Sequence, residues 1–293
     1  MNAILLKLVL TAALGTAAAP DLEPGFSSPP DAAKPWAYWW WVAGNVTEQS
    51  IERDLTEAKR KGIGGLLMFD ARGYHDDHTP PPPPRSEFMS REWRAALHHA
   101  MVVANRLGLE LSVNLSMCAG SLRGPWNVGD DAPKELLCAT QEVRGPQQLE
   151  CGLPRGDDWG QVWDMAVVAG RRAPRAKAKT PPILAEVVDL TDKVRDGSLE
   201  WDVPEGQWII YRFAGRCLKD RETDVDILDA GAVERHFNRM GKVLIQDAGP
   251  LAGKTLTHFY SVSWEGAAPT WSKGLEKAFE QLRGYSMRAY LPV

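Results

Sequence analysis

The sequence predicts an α/β fold built on parallel strands, with a β-rich module set into it. Two observations carry this. From residue 36 onward, short apolar runs alternate with amphipathic segments in the order strand, helix, strand, helix, strand. That alternation implies parallel strands joined by right-handed crossovers. Over residues 140–223 the rhythm changes to short strands separated by Pro, Gly and Asp turns. The α/β rhythm then resumes.

The first run, "AYWWWVA" (37–43), suits a strand buried on both faces. Alternation sends Tyr38 and Trp40 one way and Trp39 and Trp41 the other. One set is expected beneath the helices and the other on the inner face, with Trp41 near its mouth beside Asn45. Thr47 is placed to cap a helix over 48–61, in which Ile51, Leu55 and Ala58 share a stripe and which Gly62 ends. "IGGLLMFDA" (63–71) is the second strand, followed by a loop with five prolines, Pro80–Pro84. Ser90 caps a helix over 91–107, with Trp93, Leu97, Ala100, Ala104 and Leu107 at helical spacing and Gly108 closing it. Residues 109–116 form the third strand.

The insert contributes strands at 163–170, 183–191, 199–204 and 207–215, with "VPEGQW" (203–208) as a turn. Beyond it, Asp229 precedes a helix over 230–247 with Val233, Phe237, Met240 and Leu244 on one face. Gly249-Pro250 stops that helix. Residues 255–264 are a fourth strand of the α/β part, and Ser272 starts a helix carrying Leu275, Phe279 and Leu282.

The chain has 293 residues, 44% of them hydrophobic, which allows one large domain or two ordinary ones with a real core. The net charge of −4 argues against a nucleic-acid binder, and the basic run Arg171–Lys179 reads as a solvated loop. Residues 1–19 resemble a secretory signal peptide: Lys7 is the only charge before Asp21, Leu8–Leu14 is apolar, and Ala17–Ala19 offers a small-residue cleavage site. That implies a secreted or periplasmic protein. The segment is too short for a membrane span, and no other stretch is long and apolar enough. Residues 20–35 read as a linker, 36–139 as the first α/β part, 140–223 as the insert and 224–293 as the α/β continuation. Cys118, Cys138, Cys151 and Cys217 permit three disulfide pairings or free thiols. The lack of a C-x-x-C pair argues against structural zinc.

Function in parallel α/β folds gathers at the carboxyl ends of the strands. The residues there are Trp41 and Asn45 after the first strand, Asp70 after the second and Asn114 after the third, with Trp126 in the loop beyond it. Trp264 and Glu265 follow the fourth strand. Aromatic rings beside amides and carboxylates are what a sugar requires, because its C–H faces stack on indoles and its hydroxyls seek polar partners. No Walker, Rossmann or G-x-S-x-G fingerprint occurs. "HDDH" (75–78) reads as a solvated loop, since adjacent side chains rarely converge on one ion. Glu265 beside Trp264 suits a general acid, because a carboxyl against an indole loses hydration and its pKa rises.

"KPWAYWWWVAGNVT", "KRKGIGG", "MFD", "REWRAALHHAMVVANRLGLELSVN", "GPWN", "VPEGQW" and "LDAGAVERHF" occur in this order. Together they resemble glycoside hydrolase family 106, whose characterised members are α-L-rhamnosidases, over about residues 30–293. The resemblance implies a (β/α)8 TIM-type barrel with inserted β modules, here a partial one of about four βα units. It also implies inverting hydrolysis of terminal rhamnosides in plant or microbial polysaccharides, with calcium assisting sugar binding; metal ligands are not identified. Inversion needs an acid and a second carboxylate that activates water. The family's glutamate falls on Glu265, assigned as the acid, and the second carboxylate is expected beyond Val293. Val262 stands where the family usually has Asp, and "SMCAGSLRGPWN" departs from its Gly-rich loop. On this reading the chain is the N-terminal portion of such an enzyme, and its exposed strand edges invite self-association. The alternative is a non-catalytic carbohydrate-binding or scaffold protein derived from one.

Overall fold

The computed structural model describes residues 22–71, 82–117, 119, 121–173, 184–218, 220–261 and 270–292. A short helix, α1 (Leu22–Ser27), and a 3-10 turn at Asp31–Ala33 lie in the stretch expected as linker. The chain then enters β1 (Trp36–Trp41), α2 (Glu48–Arg60), β2 (Gly65–Asp70), α3 (Arg91–Leu107) and β3 (Glu110–Asn114). Thr47 caps α2 through a reciprocal pair with Ser50, and Ser90 caps α3 by accepting from the Trp93 N–H. These local hydrogen bonds satisfy helix N–H groups that have no partner within the helix, so both helices begin where the sequence predicts.

The insert, expected from residue 140 with its first strand at 163, begins earlier, with β4 (Lys134–Gly152), followed by β5 (Trp163–Arg172), β6 (Leu184–Asp189), the two-residue β7 (Val194–Arg195) and β8 (Ser198–Cys217). The chain returns through α4 (Ala230–Arg239), α5 (Gly241–Ala248), β9 (Leu256–Tyr260) and α6 (Leu275–Arg283). Two sheets result. One is parallel, in the order β1-β2-β3-β9; the other is antiparallel, in the order β4-β8-β5-β6, with β7 on β8.

The helices cover one face of the parallel sheet. Trp39 and Trp41 of β1, Leu66 and Met68 of β2, and Leu111 and Val113 of β3 pack there. They meet Ile51 and Leu55 of α2, Trp93, Leu97 and Met101 of α3, and Leu244 of α5. α2, α3 and α5 present their apolar stripes to the sheet, and this burial is the main stabilising term for the layer. The antiparallel sheet has an apolar cluster on each face: Val167, Leu199, Trp201 and Trp208 on one, Val168, Tyr211 and Phe213 on the other.

Three expectations are corrected. First, "VPEGQW" is no hairpin turn. β8 runs through it, paired with β4 from Ser198↔Gly152 to Cys217↔Lys134, with a register shift opposite Gly145. Gly206 takes the turn geometry at φ 128°, and a Cβ on Gly145 would fall 2.0 Å from the Pro204 carbonyl oxygen. The turn signal is absorbed by an irregularity inside a long strand pair. Second, the helix expected over 230–247 breaks at Met240, whose φ and ψ are −117° and −65°. Met240 is fully buried, and the bare Cα of Gly241 lets the Phe237 ring pack against it. Third, Ser272 does not start a helix. Gly274 precedes α6, and the Ser272 hydroxyl donates to the Asp226 carboxylate at 2.9 Å.

Among the described residues no helix is long and apolar enough to cross a membrane. Cys138, Cys151 and Cys217 are free thiols, and Cys118 lies outside the described residues.

Candidate active site at the carboxyl ends of the parallel strands

The face of the parallel sheet opposite the helices is aromatic. Register places Tyr38 and Trp40 of β1 on the same side as Leu67 and Phe69 of β2, Ser112 and Asn114 of β3, and Tyr260 of β9. Trp40 meets Phe69 edge-on at 5.1 Å, Tyr38 meets Tyr260 at 6.3 Å, and Trp36 reaches His258 across the sheet at 5.8 Å. The Tyr260 hydroxyl donates to the Met68 carbonyl at 3.0 Å. Its burial, and then the neighbouring Tyr38, push its phenol pKa above the ordinary value, so it stays a neutral donor. Tyr38 and Trp40 remain 54% and 42% exposed, which leaves two ring edges for a ligand.

Trp41 does not share this face. It is fully buried on the helix side, edge-on to Trp39 at 5.3 Å and to Trp93 at 5.9 Å. The parity of the run was legible, but not its side: six consecutive apolar residues contain no polar residue to mark which face meets helices. Tyr38 and Trp40, not Trp41, occupy the open face. Asn45 sits in the turn after β1, where Ala43 and Gly44 both take positive φ, 52° and 64°. Its Nδ2 donates to the carbonyls of Val42 at 2.9 Å, Ala43 at 3.4 Å and Pro83 at 3.1 Å. The amide therefore ties this turn to the chain before α3, and a sugar contact would fall to Oδ1.

Asp70 ends β2, paired with Trp41, and is buried. Its Oδ2 accepts the Trp93 indole N–H at 2.6 Å. Asn114 ends β3, also buried, and its Nδ2 donates to the Ser116 carbonyl at 2.7 Å. The Ser116 hydroxyl accepts from the Arg123 backbone N–H at 3.0 Å. Arg123 in turn pairs with buried Asp224, which also takes Arg221 at 2.7 Å. The loop after β3 is thus pinned to the segment that leaves the antiparallel sheet.

Trp126, half-buried, lies against His236 of α4 with ring centres 6.0 Å apart. His236 Nε2 meets the Leu115 carbonyl at 2.7 Å. Burial holds the imidazole pKa below its usual range, which outweighs the opposing pull of that carbonyl; Arg239 lowers it further. Neutral His236 donates from Nε2, and helix α4 thereby holds the end of β3. Sequence reasoning missed His236, Arg123 and Tyr260. The first two act across long sequence separations, and only the Tyr260 register on β9 could have signalled its place.

Glu265 and Trp264 lie outside the described residues, as do Val262 and His75–His78. The chain leaves β9 at Tyr260 and returns at Thr270 and Trp271. Both of their backbone N–H groups donate to the Lys134 carbonyl, at 3.1 and 3.2 Å, and the Thr270 hydroxyl accepts from the Leu136 N–H at 2.9 Å. Among the described residues no group of three or more His, Cys, Asp or Glu side chains is arranged to hold a metal ion. The calcium expected from the family has no such cage among them.

Comparison with known proteins places this arrangement in a family of glycoside hydrolases. The chain belongs to the alpha-L-rhamnosidase family, glycoside hydrolase family 106, which it matches over residues 27–186 and 171–293. A curated relative from Formosa agariphila, described as "Putative beta-glucuronidase", is 28% identical over 93% of this chain. The chain spans 26% of that relative's length. A solved rhamnosidase from Novosphingobium sp. PP1Y has a similar fold, with a TM-score of 0.68 and 21% identity. The match covers 94% of this chain and 42% of the other.

Proposed function

We propose that this chain is part of a secreted or periplasmic α-L-rhamnosidase that inverts configuration at terminal rhamnosides, with Glu265 as the general acid. The observation that carries the reading is the pairing of family membership with the open aromatic face. Trp40 near the end of β1 and Tyr38 two residues before it offer stacking surface beside Tyr260, and β9 leads directly into the segment bearing Glu265. In this reading the four parallel strands are part of a (β/α)8 barrel, and the edge strands β1 and β9 are where further units or a second copy would add. Calcium-assisted sugar binding belongs to the same reading, and no catalytic step is routed through it.

The relative described as a glucuronidase supplies the competing substrate. Assay the longest natural form of the protein on aryl α-L-rhamnoside and aryl β-D-glucuronide, with and without chelator, beside Glu265→Gln. Rhamnoside turnover with β-L-rhamnose released first, reduced at least about a hundredfold in the variant, supports the proposal. Turnover of the glucuronide alone rejects the substrate, and an active Glu265→Gln rejects the acid. Binding without turnover by the natural form favours the non-catalytic carbohydrate-binding alternative.

A further inference from the structure

We propose that Trp163, at the start of β5, is the stacking floor of a carbohydrate subsite between the antiparallel sheet and α6. It lies apart from the aromatic face of the parallel sheet and goes beyond the hydrolytic reading. Two adjoining clefts of about 560 and 580 Å³ meet at Asp130, Trp163 and Cys217. That is the size range of a small-ligand site.

Trp163 is 41% exposed, whereas Ala166, Val168, Tyr211 and Phe213 on the same sheet face are buried. Its cross-strand partner is Gly215, and a Cβ there would fall 2.4 Å from the indole. The glycine thus lets the ring settle directly on the β8 backbone. One side of the indole is fixed against main chain and the rest borders the clefts. A ring held this way loses little freedom when a ligand stacks on it.

The polar rim selects the ligand class. Gln161 and Glu222 line one cleft, Lys273, Glu276 and Lys277 the other, and Asp130 both. Carboxylates and ammonium groups both border the clefts that Trp163 shares. A phosphate would meet the carboxylates and an organic cation would meet the lysine, so neither is favoured. A neutral pyranose has an apolar face for the indole and hydroxyls that both donate and accept.

The walls are preformed. Lys134 Nζ donates to the carbonyls of Asp130 at 2.8 Å and Ala132 at 2.9 Å and reaches Asp226 Oδ2 at 3.4 Å. Ser272 holds the same Asp226 oxygen, and Trp271 is buried beside it. Because Lys134 also anchors Thr270 and Trp271, the subsite abuts the returning end of the segment that carries Glu265.

The test is saturation-transfer NMR and tryptophan-fluorescence titration of the full chain. The probes are methyl α-L-rhamnoside and a rhamnogalacturonan tetrasaccharide. Trp163→Ala should weaken tetrasaccharide binding at least about tenfold, while Trp163→Phe retains most of it. Gly215→Val, which lifts the ring from its seat, should act like the alanine variant at unchanged far-UV circular dichroism. Equal affinity in wild type and Trp163→Ala overturns the proposal, and so does absence of binding by the wild-type chain at millimolar probe. If Trp40→Ala abolishes binding and Trp163→Ala does not, the sugar sits at the strand ends and the subsite is rejected. Hydrolysis is read separately, so a wrong reaction assignment leaves this result interpretable.

Discussion

The Trp93 indole N–H donates to the Asp70 carboxylate at 2.6 Å, joining the first turn of α3 to the last residue of β2. Both residues are buried, so the bond fixes a carboxylate at the strand end while helix and sheet are pressed together. Trp93→Phe keeps most of the ring contacts with Trp41 and Phe88 and removes the donor. We expect a loss of about 2 kcal/mol in urea unfolding, because a buried carboxylate left short of a hydrogen bond is costly. A variant as stable as wild type would show that this bond contributes no net stability.

His236 makes stability depend on pH in a defined direction. Its folded pKa is lowered by burial, so the unfolded chain takes up a proton first as pH falls. The stability from the neutral imidazole is complete above its ordinary value of about 6.5 and is lost as pH falls below that toward the folded pKa. Thermal melts between pH 7.5 and 5.5 should show a falling midpoint. In His236→Gln, which does not titrate yet still carries an N–H for Leu115, the slope should flatten. An unchanged slope would exclude His236 as its source.

Trp40 and Trp41 should separate ligand contact from packing. Trp41→Ala empties a fully buried site and should cost about 3–5 kcal/mol. Its indole N–H has no hydrogen-bond partner among the described residues, so Trp41→Phe should be much milder, and neither change should alter sugar specificity. Trp40→Ala should cost little stability and weaken sugar binding at the strand ends. Titration calorimetry beside denaturant melts distinguishes these outcomes.

Asp226 is fully buried and takes both Lys134 and Ser272. Asp226→Ala strands a buried ammonium and should destabilise by about 3 kcal/mol, whereas Asp226→Asn should cost about 1 kcal/mol. Denaturant midpoints at constant m-value test the contrast.

Much of the α/β layer was legible because its signals are local. Thr47 and Ser90 satisfy helix N–H groups within three residues, and Gly108 closes α3 at a φ of 65° that side chains disfavour. The segment Val203–Trp208 misled because Pro and Gly fit a bulge within a strand pair as well as a hairpin turn; only the facing Gly145 decides. At the candidate site, Asp70 and Asn114 were recognisable from their strand-end positions. Their partners Trp93 and Ser116, and the brace from His236 to Leu115, depend on which elements pack together.

The sequence by itself determined the alternation of strands and helices from β1 to β3, the ends of α2 and α3, and the family, because capping, periodicity and ordered motifs are carried by neighbouring residues. Only the tertiary structure decided that Trp41 faces the helices while Tyr38 and Trp40 face outward, and that Gly215 seats Trp163. A two-residue period fixes which side chains share a face. Which face is buried is decided by the partner that covers it.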